Sequence, residues 1–264
     1  MKYETILYTK EGPVATITLN RPDNLNAYTN LLLEEMLGAI DDVRQDDNIR
    51  VLIITGAGRA FCSGADLSQY GDESQRRRPL ASVMEMRDGF HQLLLSLGRL
   101  DKPTIAAING PAVAGGLSIA LVCDFRIASD LARIGDGSLR FGFVPDEGGA
   151  YLLPRIVGLE KALELILLRE ILDAKQAERI GLVGKVVPHA ELEGKAREMA
   201  HKIAEGPPVA SRLAKRAVYK QLDMDFATAL EDIALAAQIV NEMEDVQEGI
   251  RAFFEKRKPI FKGR

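Results

Sequence analysis

The sequence predicts an α/β layered fold that gives way to a helical tail. Through the first two-thirds of the chain, short β-rich apolar runs alternate with segments whose apolar residues recur at helical spacing. Several of those runs end in glycine-rich or small-residue turns, as buried strands do. From about Leu159 the alternation stops, and only Val183 to Val187 still reads as a strand.

Taken in order, Tyr3 to Tyr8 and Val14 to Asn20 are β-rich runs separated by a Lys-Glu-Gly turn, the pattern of a hairpin. From Asn30 to about Asp46, Leu33, Met36, Leu37, Ile40 and Val43 fall at helical spacing. Val51 to Ile54 reads as a buried strand closing at Gly56. The spacing predicts a helix over Val83 to Leu97, a strand over Thr104 to Ile108, and a helix from near Gly115 into Leu121. The stretch Gly71 to Pro79 (GDESQRRRP) is polar and turn-rich, which predicts a mobile loop; Arg76-Arg77-Arg78 reads as a solvated charge run ahead of a phosphate or anionic-substrate contact. In the tail, Glu191 to Ala204, Val209 to Leu222, Phe226 to Val240 and Val246 to Phe254 read as helices, punctuated by Pro207-Pro208.

The 264 residues, 47% hydrophobic and 27% charged, suffice for one large domain with or without an appended subdomain, and need no disulfide or metal to hold a core. Cys62 and Cys123 match no zinc or redox spacing and are expected as small buried hydrophobes. Two unpaired cysteines fit a reducing compartment. A net charge of −4 and a pI near 5.6 supply no basic field for nucleic acid. The start, MKYETILYTK, has no apolar signal core, and no run approaches bilayer-spanning length. A soluble cytoplasmic protein, with no membrane or nucleic-acid partner, is the expectation.

Three constellations could carry chemistry. Gly56-Ala57-Gly58-Arg59-Ala60-Phe61 opens like a dinucleotide-binding glycine motif, but Phe61 replaces the third glycine and no acid follows at a strand end. Ala60 to Leu67 (AFCSGADL) and Asn109 to Gly116 (NGPAVAGG) are small-residue turns after apolar strands, where a backbone can approach a ligand closely. In the second, the paired glycines stand at a helix start, where the first N–H groups lack intrahelical partners and the dipole favours negative charge.

FCSGADL, NGPAVAGG with CDFRIAS after it, and the terminal QEGIRAFFEKRKPIF resemble three signatures of the crotonase (enoyl-CoA hydratase/isomerase) superfamily. VATITLNRPDNLNA is similar to its opening segment, and the likeness runs in order over essentially the whole chain. The resemblance implies a spiral of ββα units over residues 1–195, then a helical oligomerisation region over residues 196–264, in a homotrimer or dimer of trimers. It implies an oxyanion hole made by the backbone N–H groups of Ala65 and Gly115. Enolising a thioester, or adding water to an enoyl thioester, places negative charge on the carbonyl oxygen. Fixed N–H donors stabilise that charge by roughly 3–4 kcal/mol each.

The resemblance also implies CoA contacts from Asn24, Leu25 and Asn26, from the Ala65 to Ser68 segment including Asp66 and Leu67, and from Lys256. At Ser68 the family carries a lysine. CoA enters as part of the substrate, and no metal or redox cofactor is expected.

Two glutamates that activate water in typical members of the family are matched here by Ser118 and Ser138. A serine without its own base is no general base at neutral pH. His91, His189 and His201 are expected as surface or packing residues. An acid reappears in Gly142 to Gly149 (GFVPDEGG), which resembles a sub-branch of enoyl-CoA isomerases with a carboxylate at the Asp146 position. A single acid in an apolar pocket, here expected from Phe143, Val144 and Tyr151, can take a proton from one carbon and return it to another. Asp146 reads as that base or as a helix N-cap; Glu147 and Asp136 are the other candidates. The leading reading is enoyl-CoA double-bond isomerisation. Its rivals are an enoyl-CoA hydratase or related C–C or thioester hydrolase, and a non-catalytic acyl-CoA-binding protein.

Overall fold

The computed structural model describes residues 3–69 and 79–264, so the run Arg76-Arg77-Arg78 and the loop around it lie outside the described residues. β1 (Ile6–Glu11) and β2 (Val14–Leu19) form the expected hairpin, with Ile6 opposite Leu19 and Gly12 turning at a φ of 57°. α1 (Asn30–Gln45) begins where the Thr29 hydroxyl accepts the Leu32 N–H at 3.3 Å. β3 (Val51–Gly56) then pairs parallel to β2.

The single helix expected over Val83 to Leu97 is interrupted. α2 (Pro79–Met86) passes into a π-helical turn, Arg87–His91, before α3 (Gln92–Gly98). Periodicity cannot signal such a turn, because one extra residue shifts the apolar face without ending the helix. β4 (Thr104–Ile108) occupies its expected span, and β5 (Ala112–Val113) leads into α4 (Gly115–Val122), whose residues Gly115 to Leu121 are all buried.

β6 (Phe125–Ser129), β7 (Arg133–Gly135), α5 (Gly149–Val157), α6 (Leu159–Leu167), β8 (Leu172–Asp173), α7 (Ala174–Arg179) and β9 (Lys185–Val187) complete the core. The tail holds α8 (Leu192–Ala204), α9 (Pro208–Gln221), α10 (Phe226–Asn241) and α11 (Glu244–Glu255), each within two residues of its expected bounds.

The larger sheet runs β1-β2-β3-β4-β6-β9 and is parallel from β2 onward; β5-β7-β8 forms a smaller one. Strand residues alternate between two cores. Leu52, Ile54 and Ala106 face α1, α3 and α4, while Val51, Ile53, Ile105 and Ile127 face Leu192, Ala196 and Ala200 of α8. Cys62 and Cys123 are buried and unpaired, as expected, and burial pushes both thiols up to about 12. Beyond the core, α9 buries only Ala217 and α10 buries none of its residues; Leu222, Phe226 and Leu235 are more than two-thirds exposed. Among the described residues, no helix is long and apolar enough to cross a membrane.

Candidate active site

Because β2, β3 and β4 are parallel, the loops that follow them leave the same edge of the sheet. Those loops are 20–29, 57–69 and 109–114. Asn26 knots them together. Fully buried at a φ of 55°, it accepts the Arg21 N–H through Oδ1 at 2.8 Å and donates through Nδ2 to the Ala57 and Ala60 carbonyls at 2.9 and 2.8 Å. Asn109 reinforces the knot by donating to the Gly58 carbonyl at 2.9 Å. The Asn26 side chain is thus occupied in shaping the loops.

The two small-residue turns meet. Phe61 and Cys62 N–H groups donate to the Pro111 carbonyl at 3.0 Å, and the Val113 N–H returns to the Cys62 carbonyl at 3.0 Å. A Cβ on Gly64 would lie 3.2 Å from the Ala114 Cβ and 3.7 Å from the Gly115 N, and one on Gly116 would strike the Cys62 carbonyl. Side chains at these positions would force the turns apart. Ala65 pairs with Tyr28 in a parallel bridge: the Tyr28 N–H donates to the Gly64 carbonyl at 2.9 Å, and the Asp66 N–H donates to the Tyr28 carbonyl at 3.0 Å. Those bonds use the groups flanking Ala65 and turn its own N–H to the opposite side. Ala114 caps α4 at a φ of 50° and a ψ of −121°, a positive-φ conformation that strains a residue with a side chain and sets the direction of the Gly115 amide.

Glu147 comes to the Gly115 amide. It lies in the loop before α5, only 7% exposed, and a Cβ on Gly115 would fall 2.8 Å from its Oε1 and 2.7 Å from the Tyr28 ring. The Tyr28 hydroxyl donates to the same Oε1. Burial is the main cause that raises the Glu147 carboxyl to about 7, with Asp146 and Asp136 adding repulsion, against hydrogen bonds from Tyr28 and the Gly115 amide. A carboxyl poised near neutrality can both accept and return a proton at working pH.

Asp146, the sequence's first choice as base, is exposed, and its neighbour Glu147 turns inward instead. Nor does Asp146 cap α5, whose N-cap is Gly148 without a side-chain hydrogen bond. Asp136 is buried and accepts the Ser138 N–H at 3.0 Å, bracing the short turn Ser138–Phe141. Ser118 and Ser138 are both buried. The apolar walls expected from Phe143, Val144 and Tyr151 are exposed. His91, expected as a surface or packing residue, bonds through Nε2 to the Asp146 carbonyl at 2.8 Å.

Among the CoA candidates, Asn24 ends a short turn and is exposed, and Leu25 takes a left-handed φ of 51°. Asp66 is engaged by Arg21 at 2.8 Å and by the Ser68 hydroxyl at 2.7 Å. Leu67 and Ser68 are exposed beside it, while Lys256 is exposed at the end of α11, remote in sequence.

The model for the family described as "Enoyl-CoA hydratase/isomerase" matches residues 9–264. The chain belongs to that family. The likeness to the crotonase superfamily therefore holds over the full length, and the α/β core with its helical tail is the crotonase fold. Among relatives of the enoyl-CoA hydratase/isomerase chain, a short-chain-enoyl-CoA hydratase of Clostridium acetobutylicum is 38% identical over 98% of this chain and 97% of the relative. An enoyl-CoA isomerase/hydratase of Mycosarcoma maydis is 35% identical over 94% and 92%. The crystal structure of an enoyl-CoA hydratase from Bacillus anthracis superposes with a TM-score of 0.93 at 38% identity, over 99% of this chain and 100% of the other.

The Glu147 carboxyl has a pH consequence for stability. Its pKa is higher folded than unfolded, so folding takes up a proton, and stability falls as pH rises from about 4.5 through about 7. Glu147→Gln keeps an acceptor for Tyr28 and removes that titration. The variant is expected to gain stability over the parent above pH 7, by about 3 kcal/mol at most, and to gain little at pH 4.5. Urea unfolding at both pH values measures the difference; an equal effect at both would contradict the assignment.

Proposed function

We propose that this enzyme moves the double bond of an enoyl-CoA thioester, with Glu147 as the one carboxyl that removes and returns the proton. The observation that carries the reading is the buried, neutral-range Glu147 carboxyl at the Gly115 amide. The N–H groups of Ala65 and Gly115 hold the thioester oxygen as it gains charge. Glu147 takes a proton from the carbon next to the thioester, leaving an enolate, and returns it at the far end of the conjugated system. Atoms and charge balance without water, metal or redox group. Ser118 and Ser138, standing where water-activating glutamates are expected, favour this one-acid chemistry over addition of water.

A second reading, hydration of a 2-enoyl-CoA with Glu147 as base for water, is favoured by relatives that bear the name enoyl-CoA hydratase. The loop segments Asn24 to Asn26 and Asp66 to Ser68, with Lys256, are proposed to flank the CoA moiety. The exposed apolar residues of α9 and α10 are proposed to be covered by further copies of the chain, residues 196–264 being the oligomerisation region.

The purified protein should convert a 3-enoyl-CoA to its conjugated isomer, followed by ultraviolet absorbance. Glu147→Gln should lose about 10²–10⁴-fold in turnover while still binding the thioester, and Asp146→Asn should stay within about threefold. Steady hydration of a 2-enoyl-CoA without isomerisation would favour the second reading, and full turnover in Glu147→Gln would sink both. Sedimentation should give a trimer or a dimer of trimers; a monomer at micromolar concentration would contradict the assembly.

A further inference from the structure

We propose that Tyr28 is a positioning residue for this reaction, its hydroxyl fixing where the Glu147 carboxylate sits relative to the Gly115 amide. The inference rests on the assignment of Glu147 as the proton carrier.

Tyr28 reaches both halves of the site. Through its backbone it bonds Gly64 and Asp66 on either side of Ala65, which orients one proposed oxyanion donor. Through its hydroxyl it bonds the Oε1 of Glu147, 119 residues away in sequence and beside the other donor. One buried residue therefore sets the spacing between the carboxylate and the two amides.

The ring is itself braced. It packs on Phe90 with centroids 4.6 Å apart and planes tilted by 35°, and Phe90 is almost fully buried. Phe90 belongs to the π-helical turn Arg87–His91, and the next residue, His91, bonds the Asp146 carbonyl at 2.8 Å. The same five-residue turn thus supports Tyr28 and the residue before Glu147. A helix that widens at this point presents adjacent residues to the two partners.

The titratable groups facing Glu147 are the Tyr28 phenol, the Asp136 and Asp146 carboxylates and the Cys62 thiol, with the Gly115 amide beside them. Of these side chains, Tyr28 is the one whose hydrogen bond favours the ionised carboxylate; the two aspartates oppose ionisation. Removing the hydroxyl must therefore make Glu147 harder to deprotonate.

Tyr28→Phe keeps the ring and its packing on Phe90 and deletes only the hydroxyl. The test follows the Glu147 carboxyl by carbon-13 NMR, its resonance identified by loss in Glu147→Gln, alongside the pH dependence of kcat/KM on an enoyl-CoA. In Tyr28→Phe both inflections should move to higher pH, so that at pH 6 kcat/KM, relative to its own plateau, drops roughly 3–10-fold below the parent. Replacing Tyr28 with 3-fluorotyrosine, a somewhat stronger donor on nearly the same ring that stays protonated while Glu147 titrates, should move both inflections to lower pH. A Glu147 titration that coincides in all three proteins overturns the role of Tyr28. Undiminished turnover in Glu147→Gln overturns the assignment of Glu147 instead. The two failures are distinguishable because the NMR titration needs no turnover.

Discussion

The arrangement rests on one buried contact, the carboxylate of Glu147 held between the Tyr28 hydroxyl and the Gly115 amide. A carboxyl removed from water resists ionisation, and hydrogen bonds to its charged form restore part of that loss. The balance leaves Glu147 near neutrality. The same contact dictates the glycine at 115: a methyl group there would overlap both the carboxylate and the tyrosine ring. The space that a Cβ at 115 would fill is the space through which the Glu147 carboxyl reaches that amide.

The fold delivers these groups from far apart in sequence. The parallel strands β2, β3 and β4 end at one edge, so the Tyr28, Ala65 and Gly115 loops converge there. Their convergence is held by hydrogen bonds from Asn26 and Asn109 and by backbone exchange between Cys62 and the Pro111–Val113 segment. Donors held this way need no reorganisation, which is what the oxyanion role proposed for the Ala65 and Gly115 amides requires. Glu147 comes from the loop between the Ser138–Phe141 turn and α5.

Periodicity suffices for α1 and for the tail helices, because each carries an apolar stripe of its own or begins after a proline or aspartate. It also finds β2, β3 and β4, whose apolar runs end in glycine or asparagine. The short strands β5, β7 and β8 escape, since two or three residues carry no pattern. β6 escapes because Asp124 and Arg126 break the apolar run and pairing to β4 is what makes it a strand. The two amide turns were legible through their small residues. Which of Asp146 and Glu147 is buried was not, because adjacent acids in one loop differ only in which is turned toward Tyr28 and Gly115. No local signal marks Tyr28 either; its partner stands 119 residues on. The contact of His91 with the Asp146 carbonyl is equally invisible in the sequence, since it depends on the π-helical turn.

The most direct measurement is a crystal structure with a non-reactive acyl-CoA thioester bound. The account predicts the thioester oxygen within about 3 Å of the Ala65 and Gly115 amides, with the Glu147 carboxylate moved off Gly115 and facing the carbons next to the thioester. A thioester oxygen seated elsewhere, or Asp146 rather than Glu147 over those carbons, would contradict it.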